Sequence, residues 1–130
     1  MQEAIVFACL VTVVMWLPYL AASAVVQGVG SVLGGDPKSD LTPLPAWATR
    51  LRQAHANAAE NLAAFVGVCF AASLTENGET TVVAVAFIYT YARIAHYLCY
   101  GFGVPFFRTL SFIVSWLSIV YIGISSLGLI

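Results

Sequence analysis

Arg50-Leu-Arg-Gln-Ala-His-Ala-Asn-Ala-Ala-Glu-Asn61 is the stretch on which the reading of this chain turns. It opens a run that is otherwise apolar as far as Leu74, and it carries into that run side chains that hydrocarbon rejects. Gln53, Asn57 and Glu60 stand four and three residues apart, so at roughly 100° per residue they share one stripe of a helix. A carboxylate and two amides aligned on a membrane helix require a partner in the protein interior.

The helix is read as a membrane helix because of what surrounds it. The chain has 130 residues, 61% hydrophobic and 8% charged, with a mean hydropathy of +0.91. Ordinary soluble domains are about 25% charged, so water is not the main solvent here. The net charge is −1 and no basic stripe occurs, which excludes nucleic acid as an expected partner. Cys9, Cys69 and Cys99 each lie in an apolar run without Cys-x-x-Cys or Cys/His spacing. They read as small buried hydrophobes, not as a zinc site or disulfide framework.

Outward from the opening stretch, the pattern predicts one domain over residues 1–130 with four helices, at about 4–27, 46–74, 80–100 and 106–129. Each run approaches or exceeds the ~20 residues needed to cross a bilayer. The first is expected to be a retained helix, since its leading residues include Glu3 and no Lys or Arg, unlike a secretory signal. Pro18 should kink it. Gly28 to Pro45 is a loop by its Gly, Pro, Asp and Ser content, and Thr42 or Pro43 to Pro45 suits a helix start. Thr75 to Glu79 reads as a tight turn through Asn77-Gly78, and Gly101 to Pro105 breaks the third helix from the fourth. The expected fold class is an all-α membrane protein, a four-transmembrane-helix up-down bundle.

All five basic residues, Lys38, Arg50, Arg52, Arg93 and Arg108, fall in or near the first and third connections. By the positive-inside rule that end is cytoplasmic, with both termini on the other side. On the third helix Tyr89, Arg93, His96, Tyr97 and Tyr100 recur at three- and four-residue spacing. Arg93 and Glu60 each lie about two turns inside the same end of their helices, so an ion pair between them is expected. Two readings of this polar group stay open. It can be glue that locks the bundle. It can also line a cavity formed by Arg50 or Arg52, Gln53, Asn57, Glu60, Arg93, His96, Tyr100 and Arg108, suited to a small, charged, peptide-like anion. Glu60 and His96 beside Arg93 make a poor divalent-metal site, and none is expected.

The segments Arg52-Gln-Ala-His-Ala-Asn-Ala-Ala-Glu-Asn61, Ala92-Arg-Ile-Ala-His-Tyr-Leu-Cys-Tyr100 and Gly103-Val-Pro-Phe-Phe-Arg108-Thr109 together resemble the MAPEG family. These are the membrane-associated proteins of eicosanoid and glutathione metabolism, and they include microsomal glutathione transferases. The resemblance runs in order over about residues 42 to 125. It implies a homotrimer of four-helix subunits binding glutathione as co-substrate between neighbouring subunits, near the cytoplasmic face. Asn57 and Glu60 match the family's helix-two pair, and Arg93, His96 and Tyr100 its helix-three set. Arg108 matches the arginine near the glutathione thiol, and Thr109 keeps a hydroxyl beside it. The implied chemistry is thiolate formation and attack on a lipophilic electrophile drawn from the membrane. Gln53 stands where the family has a glutathione-contacting arginine, with Arg50 on the same stripe one turn lower and Arg52 about 100° around. Phe112 stands where some members have Tyr.

The resemblance therefore sets a glutathione transferase- or peroxidase-like membrane enzyme against a non-catalytic scaffold or lipid-binding protein of the same fold. Other aromatics, Trp16, Tyr19, Trp47 and Trp116, read as interfacial or packing residues, and His55 as interfacial.

Overall fold

The structure, a computed structural model, describes residues 1–34, 42–75 and 80–129. Those residues contain helices and no strand: α1 (Gln2–Val14), α2 (Leu17–Gln27), α3 (Val29–Val32), α4 (Ala46–Ser73), α5 (Thr80–Phe102) and α6 (Pro105–Ser126). The expected turn at Asn77-Gly78, and Lys38 in the first connection, lie outside the described residues.

The first expected helix, 4–27, is in fact two. It is interrupted at Met15–Trp16, and Pro18 sits in the first turn of α2. Pro18 has no N–H to give to the carbonyl four residues back, so the ladder cannot run through this point. The break is braced from another helix: the buried Tyr97 hydroxyl of α5 donates to the Met15 carbonyl at 2.7 Å. Gly28, at φ 89°, then separates α2 from the single turn of α3.

Among the described residues three stretches are long and apolar enough to cross a membrane: Gln2–Gln27, Thr80–Phe102 and Pro105–Ser126. The α4 helix is longer, 28 residues or about 42 Å at 1.5 Å per residue. Its polar first half keeps it out of that group, although everything from Leu62 to Ala72 is apolar.

The turn between α5 and α6 positions the polar end of the bundle. Gly103 adopts φ +74°, its N–H reaches the Tyr100 carbonyl at 3.1 Å, and the Val104 N–H reaches Cys99 at 2.9 Å. This is a Schellman closure, for which a left-handed residue is needed and glycine is the cheapest. Pro105 then starts α6 with its fixed φ. The α5–α6 pair is the most extensively packed among the described helices, and α4 packs against both.

Packing falls into two apolar clusters. One, towards the chain termini, joins Ala4, Ala8, Phe65, Cys69, Tyr89 and Ile122, with the Phe65 and Tyr89 rings stacked at 3.9 Å. The other, near the α5–α6 turn, joins Met15, Leu51, Ala54, Ala58 and Tyr97. Gly101 belongs to the close approach there, because a Cβ on it would stand 2.5 Å from Leu51 Cδ2. The polar residues picked out in the sequence lie between and beside these clusters.

Candidate functional site

Helices α4, α5 and the start of α6 each bring one row of polar side chains to the same end. From α4 come Arg50 and Asn57, half-buried, and Arg52, Gln53 and Glu60, exposed. From α5 come Arg93 and His96, only 3% and 5% exposed, and half-buried Tyr100. The first turn of α6 adds half-buried Arg108 and exposed Thr109.

The expected Glu60–Arg93 ion pair is not formed. Arg93 Nη1 donates instead to Asn57 Oδ1 at 2.8 Å, while its Nε and Nη2 have no hydrogen-bond partner. The guanidinium lies between two rings, 5.5 Å from the centroid of Tyr89 and 5.3 Å from that of Phe112. Aromatic faces attract a cation through their quadrupole and so partly replace the missing carboxylate. Glu60 is one helical turn beyond Asn57 and points outward. α4 and α5 do pack together at this level, but the shorter, half-buried amide is the group that meets Arg93.

A second set of contacts runs from Gln53 to α6. The Tyr100 hydroxyl donates to Gln53 Oε1 at 3.1 Å, and the Arg108 guanidinium sits 4.8 Å over the Tyr100 ring. His96 Nδ1 lies 2.9 Å from the Arg108 carbonyl. A carbonyl only accepts, so Nδ1 carries the proton and Nε2 of the neutral ring is an acceptor. That Nε2 is buried without a partner. His96 thus holds the backbone of Arg108 while Tyr100 supports its side chain.

Arg50 is engaged elsewhere. Its Nε and Nη2 both donate to the Gly101 carbonyl, at 3.0 and 2.9 Å, satisfying one of the carbonyls left free at the α5 C-terminus. The Thr109 hydroxyl donates to Pro105 within its own helix at 3.1 Å. Among the described residues no three His, Cys, Asp or Glu side chains group as a metal site.

Sequence reasoning missed three of these arrangements. Phe112 entered as a departure from a tyrosine, not as a face for Arg93. Tyr97 was taken with its polar neighbours, yet it serves the helix break. His55 lies 2.8 Å through Nδ1 from the Tyr19 hydroxyl, tying α2 to α4. Only Pro18 signalled that a carbonyl near it would need a donor from outside its helix.

A helical bundle with membrane-length apolar helices and an arginine-rich polar end is an integral membrane protein by physical class. Comparison with known families makes the assignment specific: the sequence model of the MAPEG family matches residues 5–128, and the chain belongs to that family. No curated protein and no solved structure matches the chain significantly.

Proposed function

We propose that the protein is a membrane glutathione transferase- or peroxidase-like enzyme acting on lipophilic electrophiles, built as a homotrimer of four-span subunits. The observation that carries this reading is the setting of Arg108. Its cation rests on the face of Tyr100, 4.8 Å from the ring centroid. A face contact leaves the in-plane N–H donors of a guanidinium free to hold an anion. Glutathione would present its thiol there, and the adjacent positive charge lowers a thiol pKa from about 8.5. The thiol proton leaves to water, and the thiolate sulfur bonds to an electrophilic carbon held from the lipid side. The bond broken there gives its electron pair to a departing anion such as halide, or, in an addition to a conjugated double bond, to a carbon that water then protonates. Asn57, Glu60, Gln53, Arg52 and Tyr100 are the remaining candidates to hold the peptide. Arg50 is left out of this set because its guanidinium is anchored on the Gly101 carbonyl at the end of α5, away from the Tyr100–Arg108 contact, and not because its donors are exhausted.

The trimer has a physical motive. Arg52, Gln53 and Glu60 are exposed on one chain, and a carboxylate facing hydrocarbon is costly. Neighbouring subunits covering α4 would remove them from lipid and close a site between chains. By the distribution of basic residues that site faces the cytoplasm, and both termini the opposite side.

A specific observation favours a second reading, a non-catalytic member of the same fold. Gln53 and Arg50 both serve internal contacts, to Tyr100 and Gly101. Calorimetric titration of the detergent-solubilised protein with glutathione separates the two. The enzyme reading expects saturable binding that Glu60→Gln weakens, and heat of dilution alone at millimolar glutathione would give the scaffold precedence.

A further inference from the structure

The break in the first span leaves a continuous apolar depression that the glutathione site does not use. A trough of about 590 Å³ runs beside α1 and the start of α2, against Ile94 and Tyr97 of α5. A slot of about 280 Å³ continues from it, past Trp47 and Leu51 of α4, to Leu98 and Gly101. Pro18 and Tyr97 line both. Both cavities meet where the ladder is interrupted at Met15–Trp16, beside Pro18, and the Tyr97 hydroxyl reaches the Met15 carbonyl there.

We propose that this depression binds one acyl chain of an anionic phospholipid, with the headgroup phosphate held by Arg50 at its basic end. From Pro18 to Phe7 the trough covers roughly 16 Å, about one leaflet of a 30 Å hydrocarbon core. Its length therefore fits a lipid tail entering from one face. The charge is placed for the headgroup. The Arg50 guanidinium is fixed on Gly101, a wall of the slot, through Nε and Nη2, and those two bonds leave Nη1 free. Trp47, 44% exposed beside the slot, is the residue type that settles at headgroup level. By sequence the first and third connections and the adjoining helix ends hold five basic residues, Lys38, Arg50, Arg52, Arg93 and Arg108, against three acidic ones, Asp36, Asp40 and Glu60. An anionic headgroup complements that balance and a zwitterionic one does not. This site is independent of glutathione, since no wall of the depression is a residue proposed to hold it.

Native mass spectrometry of the full-length oligomer in mixed micelles tests the site, using phosphatidylglycerol and phosphatidylcholine with identical acyl chains. The expected result is up to one phosphatidylglycerol retained per chain, about five-fold over phosphatidylcholine, the attraction one arginine supplies near a surface. Arg50→Gln should remove the preference, and Arg50→Lys should keep most of it. Leu98→Trp, on a half-exposed wall, should fill the slot and lower retention of both lipids without disturbing the Arg50 contact. Equal retention of the two lipids overturns the proposal. So does unchanged phosphatidylglycerol retention in Leu98→Trp, or an oligomer that keeps no lipid because another copy covers the groove.

Discussion

Arg93 and Arg108 are both arginines in a membrane bundle, yet their surroundings ask different things of them. Arg93 is almost fully buried, bonded once to Asn57 and enclosed by Tyr89 and Phe112. Arg108 is half-buried in the first turn of α6 and supported from one side only, by Tyr100. A charge closed in by rings and an amide can hold helices together, but it offers an incoming anion no path. A charge held on a ring at the rim keeps its donors available. The difference teaches that burial, not residue type, separates an arginine closed to ligands from one that an anion could reach.

The sharpest way to break the comparison is Arg108→Ala. It should lower glutathione-dependent turnover about a hundredfold, the usual scale for losing one positioned charge stabiliser, while the oligomer stays intact by size-exclusion. Turnover within a few-fold of the parent would remove Arg108 from its role.

Arg93→Met should act on stability instead. Asn57 Oδ1 loses its donor, and unfolding of the solubilised protein should become easier by about 2 kcal/mol, the cost of an orphaned acceptor in a partly buried site. Adding Asn57→Leu should recover part of that loss, since two apolar groups replace a polar pair at little cost. If the double variant is no more stable than Arg93→Met alone, the Asn57 contact is not what Arg93 contributes.

A third substitution sharpens the geometry that both arginines depend on. Gly101→Ala places a Cβ 2.5 Å from Leu51 Cδ2. It should cost about 1–3 kcal/mol through overpacking where α4 meets α5, read from the unfolding midpoint. A neutral outcome would mean that Leu51 has room to move, and that the Arg50–Gly101 clamp alone sets the approach.

The smallest effect is expected from Tyr100→Phe. It removes the hydroxyl bond to Gln53, worth about 1 kcal/mol, and leaves the ring under Arg108. Turnover should fall only a few-fold, whereas Tyr100→Leu should approach the Arg108→Ala loss. Equal losses in the two Tyr100 variants would shift the role from the ring face to the hydroxyl.

Much of this was legible before any coordinates. The apolar runs located α4, α5 and α6 within two or three residues of their ends, because helix length and turn chemistry are local. The polar motifs Asn57-x-x-Glu60 and Arg93-x-x-His96-x-x-x-Tyr100 pointed to the right helices and family. The pairing across helices was less legible. Equal depth suggested Glu60 for Arg93, but depth says nothing about rotation, and the helix phase turns Asn57 inward and Glu60 outward. Pro18 announced an irregularity in the first span but could not say that Met15 and Trp16 would drop out of the ladder, nor that Tyr97 would serve the break.

The sequence by itself determined the solvent, the helices and the end of the bundle where charge collects. Hydrophobic run length and the cost of charge in hydrocarbon depend on composition alone. Only the tertiary structure decided which nitrogen meets which oxygen: Arg93 on Asn57, Arg50 on Gly101, Arg108 on Tyr100. Those choices rest on the rotation and separation of neighbouring helices, and both are set by the packing of Leu51, Phe65, Tyr89 and Tyr97 far along the chain from one another.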